Sequence, residues 1–167
     1  HLEPRAFRLF QTLCLSMKNL ELLSHPAEQN ASRSTSIPIG TPNEIKSEMP
    51  LSLEASSTVT QARLDARRIL SGEDDQRLIF LCGPCSIHDI DAALEYASRL
   101  KKLIGLVEDQ LVLIMRVYFE KPRTVLGWKG LIYDEDLSGL PASPSGLPRA
   151  RELLCEISHL GVPCATE

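Results

Sequence analysis

The sequence predicts an α/β fold built around a parallel sheet. Two short apolar runs, residues 77–82 and 111–119, have the length of buried strands, and a third strand begins near residue 162. A helical pattern precedes the first strand, and an amphipathic segment follows each of the first two. Strands and helices that alternate in this order require a parallel sheet with right-handed crossover connections.

The first helix and strand follow a polar N-terminal region. Residues 26–57 are rich in Ser, Pro, Asn and Glu, which predicts a mobile arm with at most short ordered pieces. From Ser57 or Thr58 a helical pattern begins, and Gly72 follows where a helix end favours a left-handed residue. Its apolar face comprises Val59, Ala62, Ala66, Ile69 and Leu70. The run RLIFLC then predicts a strand that is covered on both faces.

The strand and helix then recur twice. Asp89 or Asp91 can cap the next helix, and Gly105 lies near its end. The run LVLIMRVYF predicts a second buried strand, and Gly161 and Pro163 mark the end of the helix after it. The apolar stripes of the two helices are Ile90, Ala93, Leu94, Ala97, Leu100 and Ile104, and then Leu147, Ala150, Leu153, Leu154, Ile157 and Leu160. The segment VPCATE begins a third strand.

The composition limits the functional classes. With 167 residues and a net charge of −4, the chain has no overall attraction for polyanions, so we expect no bulk nucleic-acid binding. Its apolar runs are far shorter than the roughly 20 residues of a membrane-spanning helix. Its five cysteines lack the spacing of a disulfide framework, which favours a reducing cytoplasm. We therefore expect a cytoplasmic chain with no membrane span.

Reactive side chains follow each predicted strand. Sites in parallel α/β folds lie beyond the carboxyl ends of the strands, where this sequence has CGPCSIHD, then RVYFEKPRT and GWKG, and finally Glu167. Guanidinium groups bind carboxylate or phosphate oxygens bidentately, and lysine supplies a mobile positive charge. A cationic cluster with one hydroxyl group suits two anionic substrates: Arg116, Lys121, Arg123, Thr124 and Lys129. Together the three segments predict a metal and phosphate site.

Other interpretations of these motifs remain open. Cys82 and Cys85 also form the dithiol motif of thioredoxin-like oxidoreductases, although residues 86–89 separate it from the helical pattern. Either thiol could instead be a core residue, and a basic cluster is often only a solvated loop. Arg116 favours a bound anion, because an unpaired charge within a buried strand is costly.

In the order GPCSIHD, MRVYFEKPRT and GWKG, these motifs resemble the class I, microbial type of 3-deoxy-D-arabino-heptulosonate 7-phosphate (DAHP) synthase. The agreement runs from about Thr41 to Glu167. It implies a (β/α)8 TIM barrel with an N-terminal extension, although three strands alone would also fit an open doubly wound sheet. Residues 1–40 stay unassigned, 41–72 form the extension and its helix, and 73–167 contain about the first three strands of a truncated barrel.

The resemblance also implies an activity and its substrate contacts. Members of this family condense phosphoenolpyruvate with D-erythrose 4-phosphate and water to give DAHP and phosphate, the first step of the shikimate pathway to aromatic amino acids. If the matching residues have the same roles here, phosphoenolpyruvate would be held by Arg116, Lys121 and Lys129. Arg123 and Thr124 would hold the phosphate of erythrose 4-phosphate. An aromatic amino-acid effector and a homo-oligomer are further implications.

The remaining assignments concern the metal and catalysis. The family resemblance makes Cys85 one ligand of a divalent metal ion, which could be manganese, iron, cobalt or zinc. It would place Glu167 near the metal and the reacting carbons. The placement of charge makes Lys121 the candidate proton donor to the new hydroxyl group, so Lys121 and Glu167 are the predicted catalytic residues. Val125 replaces the second Thr that the family usually has, which predicts a weaker phosphate contact. The other metal ligands would lie beyond Glu167, so we expect this chain alone to be inactive, or to act only by pairing with an intact subunit.

Overall fold

Three parallel strands form the centre of the structure, as the sequence predicts. A computed structural model describes residues 39–121, 127–139 and 145–167. Its strands are β1 (Leu78–Cys82), β2 (Leu111–Arg116) and β3 (Cys164–Ala165), in the order β1-β2-β3. β2 pairs in parallel with both neighbours, so the carboxyl ends of all three strands lie at the same edge of the sheet.

Four helices accompany the strands in the described part of the chain. They are α1 (Pro42–Glu48), α2 (Leu53–Ser71), α3 (Ile90–Val107) and α4 (Gly146–His159). α3 packs against β2 and α4, α4 also contacts β3, and α2 packs mainly against α4. Each connection between neighbouring parallel strands therefore contains a helix, as a strand–helix repeat requires.

α2 begins earlier than the sequence analysis predicts. The predicted start at Ser57 or Thr58 is wrong, because the helix is capped by Ser52, whose Oγ accepts a hydrogen bond of 3.1 Å from the Ala55 amide. The short helix α1 precedes it and is capped by Thr41. The region predicted as an arm thus contains one short helix and the first turn of a long one.

The predicted helix caps at Gly72 and Asp89 are confirmed. α2 ends at Gly72, which has a left-handed φ of 78°. α3 is capped by Asp89, whose carboxylate accepts a hydrogen bond of 2.9 Å from the Ala92 amide. These caps satisfy backbone groups that the helices themselves leave unpaired.

The main core lies between one face of β2 and the helices α3 and α4. Alternate residues of β2 and its extension face this core, and the middle of the predicted apolar stripes of α3 and α4 is buried there: Leu113, Met115, Val117, Phe119, Ala93, Ala97, Leu100, Ala150, Leu153 and Ile157. Two residues predicted to lie on the buried faces of helices are instead exposed. Leu70 is 81% exposed at the end of α2, and Leu160 is 38% exposed just beyond α4.

β1 is not covered on both faces, which corrects the prediction made for RLIFLC. Leu78, Phe80 and Leu81 are all more than half exposed. β1 has a neighbouring strand on one side only and forms an edge of the described sheet. None of the described helices is both long enough and apolar enough to cross a lipid bilayer.

Candidate active site

Lys121 and Cys85 meet at the carboxyl edge of the sheet. β1 and β2 end side by side, since Cys82 pairs with Met115, and the segments that follow them turn toward each other. The Nζ atom of Lys121 donates a hydrogen bond of 2.8 Å to the Sγ atom of Cys85. Cys85 is exposed to solvent, so this pair is accessible to a ligand.

Arg116 ties the end of β2 to the segment that carries Cys85. Its Nε donates to the Pro84 carbonyl at 2.8 Å, and its Nη2 donates to the Gly83 carbonyl at 3.4 Å. Its Cζ lies 5.4 Å from the centre of the Tyr118 ring. The half-buried guanidinium therefore has partners within the protein, so its burial does not by itself require a bound anion.

Gly83 permits the close approach of these two segments. Its backbone φ is 145°, a value that residues with a Cβ atom rarely adopt. A Cβ atom at this position would lie 2.8 Å from the Arg116 carbonyl oxygen and 3.0 Å from the Arg116 nitrogen. The close packing against Arg116 therefore explains why glycine occupies this position of CGPC, whether or not the two cysteines have a redox function.

Glu167 holds the backbone that leads to Lys121. Its Oε1 accepts a hydrogen bond of 2.8 Å from the Phe119 amide and another from the Glu120 amide. A carboxylate that accepts from two successive amides fixes the path of that segment. The observed contact of this predicted catalytic residue is therefore a backbone contact.

The GWKG segment lies against the same backbone. The Lys121 amide donates to the Lys129 carbonyl at 2.8 Å, which places the two lysines on adjacent segments. The Lys129 side chain is exposed, and the indole of Trp128 donates to the Asp134 carbonyl at 2.6 Å. Trp128 also packs against the core, so its side chain anchors this segment.

Three further side chains, which the sequence motifs do not include, organise this site. Tyr133 donates to the Glu120 carboxylate at 3.1 Å, and this bond raises the pKa of Tyr133. Asp134 is 8% exposed and accepts from the amides of Ser138 and Gly139, both at 2.9 Å. The third is Tyr118, which lies two residues after Arg116. This spacing could have revealed it, because alternate residues of a strand share a face.

The structure describes only some of the remaining residues that the sequence predicts for the site. Arg123 and Thr124, and the substituted position Val125, lie outside the described residues. Within the described ranges no group of three His, Cys, Asp or Glu side chains could hold a metal ion. Cys85 fits the donor chemistry of a single thiolate ligand, because its sulfur is exposed beside a cationic group.

The two cysteines of CGPC have different partners. Cys82 contacts Tyr96, and burial together with this thiol raises the pKa of Tyr96, whereas Cys85 contacts Lys121. No disulfide joins Cys82 to Cys85, and α3 begins only at Ile90, as expected. A reversible disulfide between them, which would identify a dithiol oxidoreductase, stays a separate prediction.

These features define a class: α/β proteins of parallel strand–helix units with a cationic, thiol-bearing site at the carboxyl edge of the sheet. The family follows from comparison with known proteins. A family model described as the DAHP synthetase I family matches residues 45–167, which is more than half of the chain. This chain belongs to that family.

Individual relatives agree with this result. The chain is 50% identical over 127 residues to the Tyr-sensitive phospho-2-dehydro-3-deoxyheptonate aldolase of Escherichia coli strain K12, covering 76% of this chain and 35% of that relative. It is 52% identical over 130 residues to an Amycolatopsis methanolica phospho-2-dehydro-3-deoxyheptonate aldolase, covering 78% and 64%. The chain therefore spans less than two thirds of the length of these relatives.

A solved structure supports the same relationship. The phospho-2-dehydro-3-deoxyheptonate aldolase of Francisella tularensis SCHU S4 superposes with a TM-score of 0.74 at 40% sequence identity. The match covers 80% of this chain and 39% of that structure. The described α/β arrangement is thus an arrangement found within this family.

Proposed function

We propose that this chain supplies part of the active site of a DAHP synthase, a transferase that condenses phosphoenolpyruvate with D-erythrose 4-phosphate. Family membership supports the reaction class. The contact of 2.8 Å between Lys121 and Cys85 is the observation that carries the proposal. It brings the proposed proton donor, Lys121, to the residue to which the family resemblance gives metal binding, although 36 positions separate the two in sequence.

The proposed substrate contacts use the cations at the carboxyl edge of the sheet. Arg116, Lys121 and Lys129 hold phosphoenolpyruvate, and the bond between the backbones of the two lysines supports a shared ligand. Arg123 and Thr124 hold the phosphate of erythrose 4-phosphate. Fixed cations of this kind stabilise charge that develops during reaction, because they need no reorganisation at that moment.

Cys85 is the proposed thiolate ligand of a divalent metal ion. When bound, such an ion polarises the aldehyde oxygen as a Lewis acid. A soft thiolate accepts several transition metals, so manganese, iron, cobalt and zinc are all compatible with Cys85. Further ligands are needed to complete a site, because the described residues contribute no group of three.

The reaction itself depends on placement and proton transfer. C3 of phosphoenolpyruvate attacks the aldehyde carbon, water adds at C2, and phosphate leaves. Lys121 donates a proton to the new hydroxyl group as a general acid. Glu167 acts at least by holding the amides of Phe119 and Glu120, which fixes the backbone immediately before Lys121.

The wider architecture is also part of the proposal. We propose that residues 73–167 form the first part of a (β/α)8 barrel and that residues 41–72 form its N-terminal extension, whereas residues 1–40 have no assigned role. The enzyme to which they belong is proposed to be homo-oligomeric and cytoplasmic. The three parallel strands in sequential order support the barrel. Relatives named Tyr-sensitive and Trp-sensitive support control by an aromatic amino acid.

The role of Lys121 can be tested in the complete product of the gene that encodes this chain. We expect Lys121→Met to lower kcat for DAHP formation by about 100-fold or more, because general acid catalysis contributes on that order. Lys102→Met, which changes an exposed lysine of α3, is the matched control and should stay within roughly twofold of wild type. Normal turnover by the Lys121 variant would eliminate the assigned role.

A further inference from the structure

We propose that Tyr118 is a positioning residue, which holds the Arg116 guanidinium in a fixed orientation at the site. The inference rests on the proposed function in one respect, namely that Arg116 binds the anionic substrate. Tyr118 itself has no assigned role in that function. Its contribution is made through Arg116 and through no direct contact with substrate.

The first support is the geometry of the pair. Residues two apart on a strand point to the same face. β2 ends at Arg116, and the alternation of burial continues beyond it, because Arg116 and Tyr118 are half-buried and Val117 between them is buried. The Cζ atom of Arg116 lies 5.4 Å from the centre of the Tyr118 ring, within the distance at which a cation is attracted to an aromatic face. Both residues are half-buried, so water screens this attraction less than at an exposed site.

The second support is the way in which the guanidinium donors are distributed. Nε and Nη2 of Arg116 donate to the carbonyls of Pro84 and Gly83. Among the described residues, Nη1 donates to no acceptor. Arg116 therefore cannot offer its Nε and Nη2 edge to a carboxylate or phosphate without releasing the segment before Cys85. An anion that leaves this segment in place must bind through the remaining donors, which are the two hydrogens of Nη1 and the second hydrogen of Nη2.

Tyr118 adds to two carbonyl bonds of which only the one from Nε, at 2.8 Å, has an ordinary length. One of them is 3.4 Å long, and an arginine side chain loses much rotational freedom when it is fixed. The ring supplies a third contact. Meanwhile the backbone carbonyl of Tyr118 accepts from the Ile87 amide at 2.8 Å, a bond that does not depend on the tyrosine side chain.

This separation of roles permits a test that needs no enzyme activity. In the full chain, hydrogen exchange at Arg116 Nε–H can be followed by NMR in wild type, Tyr118→Phe and Tyr118→Leu. We expect wild type and the Phe variant to be equally protected, and the Leu variant to exchange roughly two- to fivefold faster, as loss of one cation–π contact implies. The Ile87 amide should stay protected in all three, which controls for unfolding.

The proposal is overturned if the Leu variant protects Nε–H as well as wild type does, or if the Phe and Leu variants exchange alike. In the complete gene product, Tyr118→Leu should also raise the KM for phosphoenolpyruvate several-fold with kcat within roughly twofold, and Tyr118→Phe should restore it. A lowered kcat with unchanged KM would contradict positioning. If that product makes no DAHP at all, the proposed function fails, and the exchange measurement still decides the role of Tyr118.

Discussion

At the scale of single residues, the segment before Lys121 is held by two neighbours. The Glu167 carboxylate binds the amides of Phe119 and Glu120. Gly130 approaches the same two residues so closely that a Cβ atom would lie 2.0 Å from the Phe119 carbonyl oxygen. The position of Lys121 therefore depends on neighbours that need not touch a ligand.

Gly130 gives a direct test of this packing. Its φ of 111° is strained for any residue with a Cβ, and the added atom would also lie 2.6 Å from the Glu120 Cα. We expect Gly130→Ala to lower the free energy of unfolding by about 3 kcal/mol, measured by urea denaturation. Gly105→Ala is the control, because nothing lies within 4 Å of its added Cβ in α3.

Gly105 lies in the last turn of α3, and Gly105→Ala should raise the free energy of unfolding by about 0.5 kcal/mol, because alanine has less backbone freedom to lose on folding. Equal effects of the two substitutions would show that the contact between Gly130 and Phe119 does not hold the segment.

At the scale of elements, hydrogen bonds between side chains and backbone set where helices begin. Ser52 caps α2 and also lies 3.0 Å from Nδ1 of His159, the last residue of α4. Arg151 of α4 donates to the Met49 carbonyl at 3.1 Å, just before that cap. The start of α2 is thus fixed both locally and by contact with α4.

The connection between α2 and β1 contains an ion pair that responds to pH. Arg77, next to β1, binds Asp65 of α2 at 2.8 Å and Asp74 at 2.7 Å. Burial raises the pKa of Asp65, but hydrogen bonds from Arg77 and Gln61 outweigh it, so the pKa lies below its ordinary value of 3.8. A lowered pKa in the folded state means that the ionised carboxylate stabilises the fold.

We therefore expect Asp65→Asn to lower the free energy of unfolding by about 1 kcal/mol at about pH 7. This stabilisation is present above pH 3.8 and is lost as pH falls through the lower folded-state pKa, so the variant and wild type should converge in acid. Urea denaturation at several pH values measures the difference. Glu73→Gln, at an exposed position nearby, should change stability by less than about 0.5 kcal/mol.

At the scale of the whole molecule, one core joins the second strand to the helices on its covered face. Leu153 of α4 is fully buried within that core, whereas Leu70 at the end of α2 is 81% exposed. Both are leucines in amphipathic helices, and the sequence pattern treats them alike. A comparison of the two positions therefore separates the stability that comes from burial in the core from any effect of the leucine side chain itself.

Truncating each leucine should therefore have very different effects. We expect Leu153→Ala to lower the free energy of unfolding by about 3–5 kcal/mol, because it removes buried methyl groups and leaves a cavity. Leu70→Ala should change it by no more than about 0.5 kcal/mol. Denaturant unfolding of both variants measures this contrast, and similar losses would place the core elsewhere.

The sequence by itself determined the order of helices and strands, the parallel sheet and several helix ends. Gly72 and Asp89 were identified because a cap depends only on the nearest backbone groups. The CGPC and GWKG segments were located because reactive residues follow strands in parallel folds. The start of α2 was misplaced because the Ser52 cap lies in a polar stretch whose composition resembles an arm.

Only the tertiary structure decided which side chains meet and which are buried. Lys121 reaches Cys85 across 36 positions because strand pairing brings two carboxyl ends together. The sequence favours a bound anion at Arg116, but only the fold shows that the carbonyls of Gly83 and Pro84 also accept from its guanidinium. A periodic pattern records which residues share a face, but burial and contact depend on what packs against that face.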